Sequence, residues 1–132
     1  MTPINDDDLQ VMVKAYLTEA LTGWEPKDEP ESLFSFSTRR RAEVDCRVML
    51  TALVQLTNYH CRVDNSPETL QKLGRYMDMS WVGKAFWYSR RDYSVEVWDV
   101  GSPQLAEALA EVAYEGFGFA SAINMGGILR IA

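Results

Sequence analysis

The stretch Lys84-Ala-Phe-Trp-Tyr-Ser-Arg90 and the run Tyr93-Ser-Val-Glu-Val-Trp-Asp99 that follows constrain the fold of this chain more than any other feature. Both are rich in aromatic and β-branched residues, which suit a pleated, half-buried surface, and Arg91-Asp92 lies between them. The pattern predicts an antiparallel hairpin from Lys84 to Val100. A two-residue turn at Arg91-Asp92 and a four-residue loop from Arg90 to Tyr93 give the same register: Phe86 faces Val97, Tyr88 faces Val95 and Lys84 faces Asp99. One face is then apolar with an ion pair at its end, and the other sets Trp87 against Glu96 and Ala85 against Trp98. The turn lacks the Asn-Gly or Asp-Gly of a tight primed turn, which favours the longer loop.

The neighbouring segments supply partners for such a hairpin. Asn58 to Asp64 alternates as a strand, and Ser66-Pro67 opens a helix through about Met79, with serine as N-cap and proline in the first helical position. After the hairpin, Ser102-Pro103 repeats that opening before Leu105, Ala108, Leu109, Val112 and Ala113. The chain ends in Phe117 to Ile123, a Gly126-Gly127 turn and Ile128 to Ile131. Strand, helix, hairpin, helix, strand is the split βαβ order. The expectation is an α+β fold whose ferredoxin-like core occupies residues 59–132, an antiparallel sheet with two helices on one face.

Two helices are expected ahead of that core, in residues 1–58. Leu9, Met12, Val13, Tyr16, Leu17, Ala20, Leu21 and Trp24 recur at three- and four-residue spacing behind Asp6 to Asp8, and Gly23 can close this first helix. Glu25-Pro-Lys-Asp-Glu-Pro-Glu31 cannot continue it and reads as an acidic loop. Leu33 to Ser37 reads as a short strand. Ala42 to Leu56 alternates like a strand but is too long for one, and Arg47, Thr51, Gln55 and Asn58 form a polar stripe at helical spacing, with Glu43 placed to pair with Arg47. This segment is expected to be a largely buried helix.

A chain of 132 residues with 47% apolar content supports one domain. No apolar run is long enough to span a bilayer, the N-terminus is acidic where a signal peptide is basic, and Cys46 and Cys61 form no disulfide framework. A cytoplasmic protein is expected, with no membrane association. The net charge of −6 is local: residues 1–31 hold two lysines and eight acids, and the remainder carries eleven charges of each sign. Such acidity disfavours generic nucleic-acid binding and attracts a basic protein surface.

Chemical groups are sparse. His60 is the one histidine, its neighbour Cys61 would point to the opposite face of a strand, and the spacing with Cys46 and Asp64 fits no usual zinc pattern. Glu96 beside Trp98 lacks an identified second carboxylate for acid–base work. Gly116-Phe-Gly118 and Gly126-Gly127 match neither the dinucleotide nor the phosphate-loop fingerprint and read as a helix stop and a hairpin turn. No catalytic residue, metal ligand or cofactor site is assigned.

Two charge features remain. Arg39, Arg40 and Arg41 follow Ser37-Thr38, a candidate N-cap, and so place three cations where the helix dipole disfavours them; a bound anion would relieve this. Glu107, Glu111 and Glu115 stand four apart on the last long helix, where like charges cost about 0.2–0.5 kcal/mol per pair. The leading expectation is a small acidic, non-enzymatic protein that binds and inhibits a basic site on a partner protein, as an inhibitor, immunity or anti-defence factor. Its contact residues would be Glu107, Glu111, Glu115, the loop acids Asp28, Glu29 and Glu31, and the sheet-face group Trp87, Glu96 and Trp98. One alternative is a phosphate-ligand or small-molecule domain, or an enzyme, with a pocket around Glu96, Trp87 and Trp98. Another is a homo-oligomer subunit pairing through Ile128 to Ile131 or the open sheet face.

Overall fold

The computed structural model describes residues 6–21, 34–63, 78–92, 97–98, 100, 102–118, 120, 122–125 and 128–131. These form helices α1 (Asp6–Ala20), α2 (Phe36–Val63), α3 (Met79–Arg91) and α4 (Pro103–Glu111), with α4 continuing into a π-helical turn, Val112–Gly116. A short antiparallel pair follows, β1 (Ala122–Met125) against β2 (Ile128–Ile131), in a register running from Ala122 opposite Ile131 to Met125 opposite Ile128. The described fold is helical, and the ferredoxin-like α+β core is overturned.

Local chemistry explains where the helices start. Asp6, Asp7 and Asp8 occupy the first turn of α1, where their charge complements the helix dipole. Ser35 caps α2 by accepting a hydrogen bond on Oγ from the Thr38 N–H at 3.2 Å. The cap is Ser35, not Ser37-Thr38, so α2 begins before the three arginines. Asp78 accepts from the Ser80 N–H at 3.0 Å to open α3. Ser102 accepts from the Leu105 N–H at 3.3 Å with Pro103 in the first turn, as the sequence predicts for α4. Beyond the π-turn, Gly118 donates its N–H to the Tyr114 carbonyl at 3.0 Å, and its positive φ of 79° turns the chain out of the helical path.

The hairpin expected from Lys84 to Val100 is replaced over Lys84–Arg91 by α3; Tyr93 to Glu96 and Asp99 lie outside the described residues. On this helix Met79, Val82, Gly83, Phe86 and Arg90 face inward, and Trp81, Lys84, Tyr88 and Arg91 face out. Two polar residues, Ser89 and Arg90, belong to the buried side. Counted as surface residues, they hide the 3.6-residue period and leave the aromatic run looking like a strand. Preference for strand is in any case a statement about fitting a half-buried surface, which a packed helix face also provides.

Other segments are corrected in the same direction. Asn58–Val63 are the last turns of α2, not a strand. Phe34 is buried, but Phe36 and Ser37 begin α2 where a strand was expected. Phe117 closes the helical segment, leaving Ala122 and Ile123 as the strand residues described in Phe117–Ile123. The helix expected from Ser66 lies outside the described residues up to residue 77; Asp78 is a non-helical cap, and Met79 opens α3. Over Ala42–Leu56 the helix is present but has two faces: Ala42, Asp45, Cys46, Met49, Leu50 and Leu53 are buried, whereas Val44 and Val48 are exposed. Glu43 lies 3.9 Å from Arg47, which also reaches Asp6 at 3.4 Å. No helix among the described residues is long and apolar enough to cross a membrane.

The core forms where α1 packs on α3, with α2 and α4 closing around them. Tyr16 stacks on Phe86 with ring centroids 5.0 Å apart and meets Trp87 edge-on at 5.3 Å. Trp98 is buried beside them and donates its indole N–H to Ser89 Oγ at 2.7 Å. Gly83 permits the close approach of α1 and α3. A Cβ there would lie 2.3 Å from the Met12 carbonyl oxygen and 2.9 Å from the Ala15 Cβ. Because the first of these atoms is backbone, the helices must separate to admit a methyl group. Gly83→Ala is therefore expected to destabilise the fold by about 3 kcal/mol despite its better helix propensity, measured as a drop in urea midpoint.

Candidate functional site

Beneath the surface, the described residues converge on one buried cation. Arg90, on the inward face of α3, is 8% exposed. Its Nε donates to the Gly118 carbonyl at 3.0 Å and one terminal nitrogen donates to the Phe117 carbonyl at 3.2 Å. The other terminal nitrogen donates to the Tyr16 hydroxyl at 2.8 Å and lies 3.4 Å from the Asp45 carboxylate. Asp45 also accepts from Arg41 Nε at 3.1 Å. Burial pushes the Tyr16 hydroxyl well above its usual titration range, against the opposing pull of Arg90. Burial also raises the Cys46 thiol, and the neighbouring Asp45 raises it further. Such a thiol is a poor nucleophile.

Two surface depressions among the described residues bear on a site, and the first opens on this centre. One, of about 280 Å³, is lined by Tyr16, Thr38, Arg41, Asp45, Arg90 and Ile131. Its two cations share one carboxylate, Asp45, and Arg90 is further bound by the Tyr16, Phe117 and Gly118 oxygens. The other, of about 260 Å³, is a groove between α1 and the first turns of α2. Each helix lends it a row at i, i+3, i+4 and i+7: Gln10, Val13, Lys14 and Leu17 from α1, and Phe36, Arg39, Arg40 and Glu43 from α2. Val13 and Leu17 are buried, Arg40 and Phe36 are exposed, and three cations line the groove against one carboxylate. The Arg39 and Arg40 guanidinium carbons each sit 5.8 Å from the Phe36 ring centroid. Arg39 Nε is buried with no hydrogen-bond partner among the described residues.

The sequence-predicted arginine triplet thus divides. Arg39 and Arg40 line the groove, while Arg41 turns to Asp45 and the buried centre. Neither Phe36 nor the α1 row was foreseen as part of a site, although the matched i, i+3, i+4, i+7 spacing on α1 is legible once the partner helix is known. Arg90 was missed because it reads as a surface charge beside Arg91.

Elsewhere, Glu107, Glu111 and Glu115 are all exposed, with no ion-pair partner among the described residues. Glu107 and Glu111 lie on α4 and Glu115 within the π-turn, one residue beyond the part-exposed Tyr114. Trp87 and Trp98 are 5% and 1% exposed, so they are core residues and supply no partner platform. Among the described residues no sheet face forms the pocket expected around them, and Glu96, Asp28, Glu29 and Glu31 lie outside the described residues. Cys46 and His60 both lie on α2, fourteen residues apart, which is about 21 Å along a helix axis and too far to share a metal. No group of three or more potential metal ligands occurs among the described residues. No protein family, curated protein or solved structure matches this chain.

Removing one member of the buried centre leaves the others unpaired. Arg90→Met is expected to destabilise the fold by about 3–5 kcal/mol, since the Asp45 charge then stays in the interior with only Arg41 beside it; thermal unfolding measures this. A second expectation follows from the raised Tyr16 and Cys46 groups. The native state holds these protons more tightly than the unfolded chain, so stability is full below the unfolded values and falls as pH rises above about 8.5. The urea midpoint should decline between roughly pH 8.5 and 10.5, and Cys46→Ala should flatten the first part of that decline.

Proposed function

We propose that this chain is a small acidic binding protein that covers a basic site on a partner protein, without catalysing a reaction, and that it acts as an inhibitor or immunity-type factor in the cytoplasm. The observation that carries the reading is the ridge of Glu107, Glu111 and Glu115, exposed on α4 and its π-turn and unpaired among the described residues. Three like charges at this spacing weaken a helix, by about 0.2–0.5 kcal/mol per pair, and a lysine at the middle position would relieve them. A basic partner surface relieves them as well and converts the repulsion into rate and specificity of association. Part-exposed Tyr114 beside the ridge supplies the kind of aromatic side chain that anchors interfaces. The buried, high-pKa Cys46 suits a reducing cytoplasm and offers no reactive thiol.

The test begins with capture of partners from native cytosol at low and high salt, followed by affinity measurement with the purified partner. Glu107→Lys/Glu111→Lys is expected to weaken binding at least tenfold, or about 1.4 kcal/mol, and to reduce its salt dependence while the melting temperature holds or rises. Unchanged affinity in this variant removes the ridge from the interface and, with it, the basis of the proposal.

A further inference from the structure

We propose that the groove between α1 and the start of α2 is a binding site for a small organic phosphomonoester, its phosphate held by Arg39 and Arg40 and its body laid against Phe36. The inference is independent of the acidic ridge, which is on another helix.

Four features point to this ligand class. First, the groove gathers Lys14, Arg39 and Arg40 around a depression in a chain whose net charge is −6. Arg39 and Arg40 stand side by side there with no carboxylate partner among the described residues, and an anion between them would relieve their repulsion. Second, Arg41 and Arg90 each have a carboxylate partner in Asp45, Arg41 from an exposed position and Arg90 from the interior. Arg39 and Arg40 have the Phe36 ring instead, and Arg39 Nε is a buried donor with no acceptor among the described residues. The one acid lining the groove, Glu43, lies 3.9 Å from Arg47.

Third, the lining is divided by chemistry. Guanidinium and ammonium groups suit a phosphate dianion, since planar Arg donors accept it in a forked arrangement. Buried Val13 and Leu17 and the exposed Phe36 ring offer apolar surface to the remainder of the molecule. Fourth, the volume of about 260 Å³ is just below the usual range for small-molecule pockets, which fits one phosphate on one compact body.

The test is calorimetric titration of the full chain with adenosine monophosphate, glucose 6-phosphate, phenyl phosphate and inorganic phosphate, with adenosine as the uncharged control. At least one monoester is expected to bind saturably at millimolar concentration or below, more tightly than inorganic phosphate, with adenosine silent. Arg40→Gln, at an exposed position, should weaken that monoester about tenfold or more with the melting temperature unchanged, as should Arg39→Gln. Phe36→Ala should bring the monoester down to the affinity of inorganic phosphate. Lys84→Gln, an equal charge change on α3 outside the groove, should leave it unaltered. The absence of saturable binding by all three monoesters overturns the site, as does binding that Arg40→Gln leaves intact. Inorganic phosphate binding as tightly as every monoester overturns the role assigned to Phe36.

Discussion

A single buried guanidinium holds the described parts of this protein in register. Arg90 has five N–H donors and no way to lose its charge at ordinary pH, so an interior position is tolerable only where acceptors surround it. Those acceptors come from separate places in the chain: the Tyr16 hydroxyl on α1, the Asp45 carboxylate on α2, and the Phe117 and Gly118 carbonyls just beyond the π-turn. The Phe86 and Phe117 rings complete its surroundings, with the guanidinium carbon 5.9 and 5.7 Å from their centroids. A buried pair of this kind adds little net stability over an apolar core of the same volume. Its effect is geometric, because no partner can shift without leaving a charge or a carbonyl unmet.

Around that point the packing is close and largely aromatic. Gly83 brings α3 against the backbone of α1, which places Phe86 and Trp87 over Tyr16 and Arg90 within reach of the Tyr16 hydroxyl. On its other side α1 meets α2, and the groove lies between the outer rows of those two helices. The same placement therefore sets the interior and the basic surface. The acids of α4 and its π-turn stand on a different helix, exposed and without an ion-pair partner among the described residues.

The site was partly legible in the sequence. Arg39 and Arg40 stood out because three consecutive cations near a helix start conflict with the dipole, and Glu107, Glu111 and Glu115 because their spacing repels. Both signals are local. What the sequence did not offer was the division of the triplet: the exposed Arg41 reaches to Asp45, a buried partner that also holds Arg90 from α3. Gln10 and Lys14 join the groove only through the packing of α1. Trp87 and Trp98 were misplaced by a similar omission, since their burial follows from Tyr16 and Ser89, neither of which signals a contact in the sequence.

Short-range chemistry was enough to determine α1 from its apolar spacing behind Asp6 to Asp8, the start of α4 from Ser102-Pro103, and the pairing of Glu43 with Arg47 four residues on. Each depends on groups within about one helical turn, or on a period the residues display directly. Tertiary structure alone decided that Met79–Arg91 is a helix. Its local preference was ambiguous, and the inward face that resolves it contains an arginine and a serine that are buried only because distant acceptors and a distant indole N–H are there to receive them. Polar residues mark a surface until their partners are known, and here those partners lie up to 74 residues away.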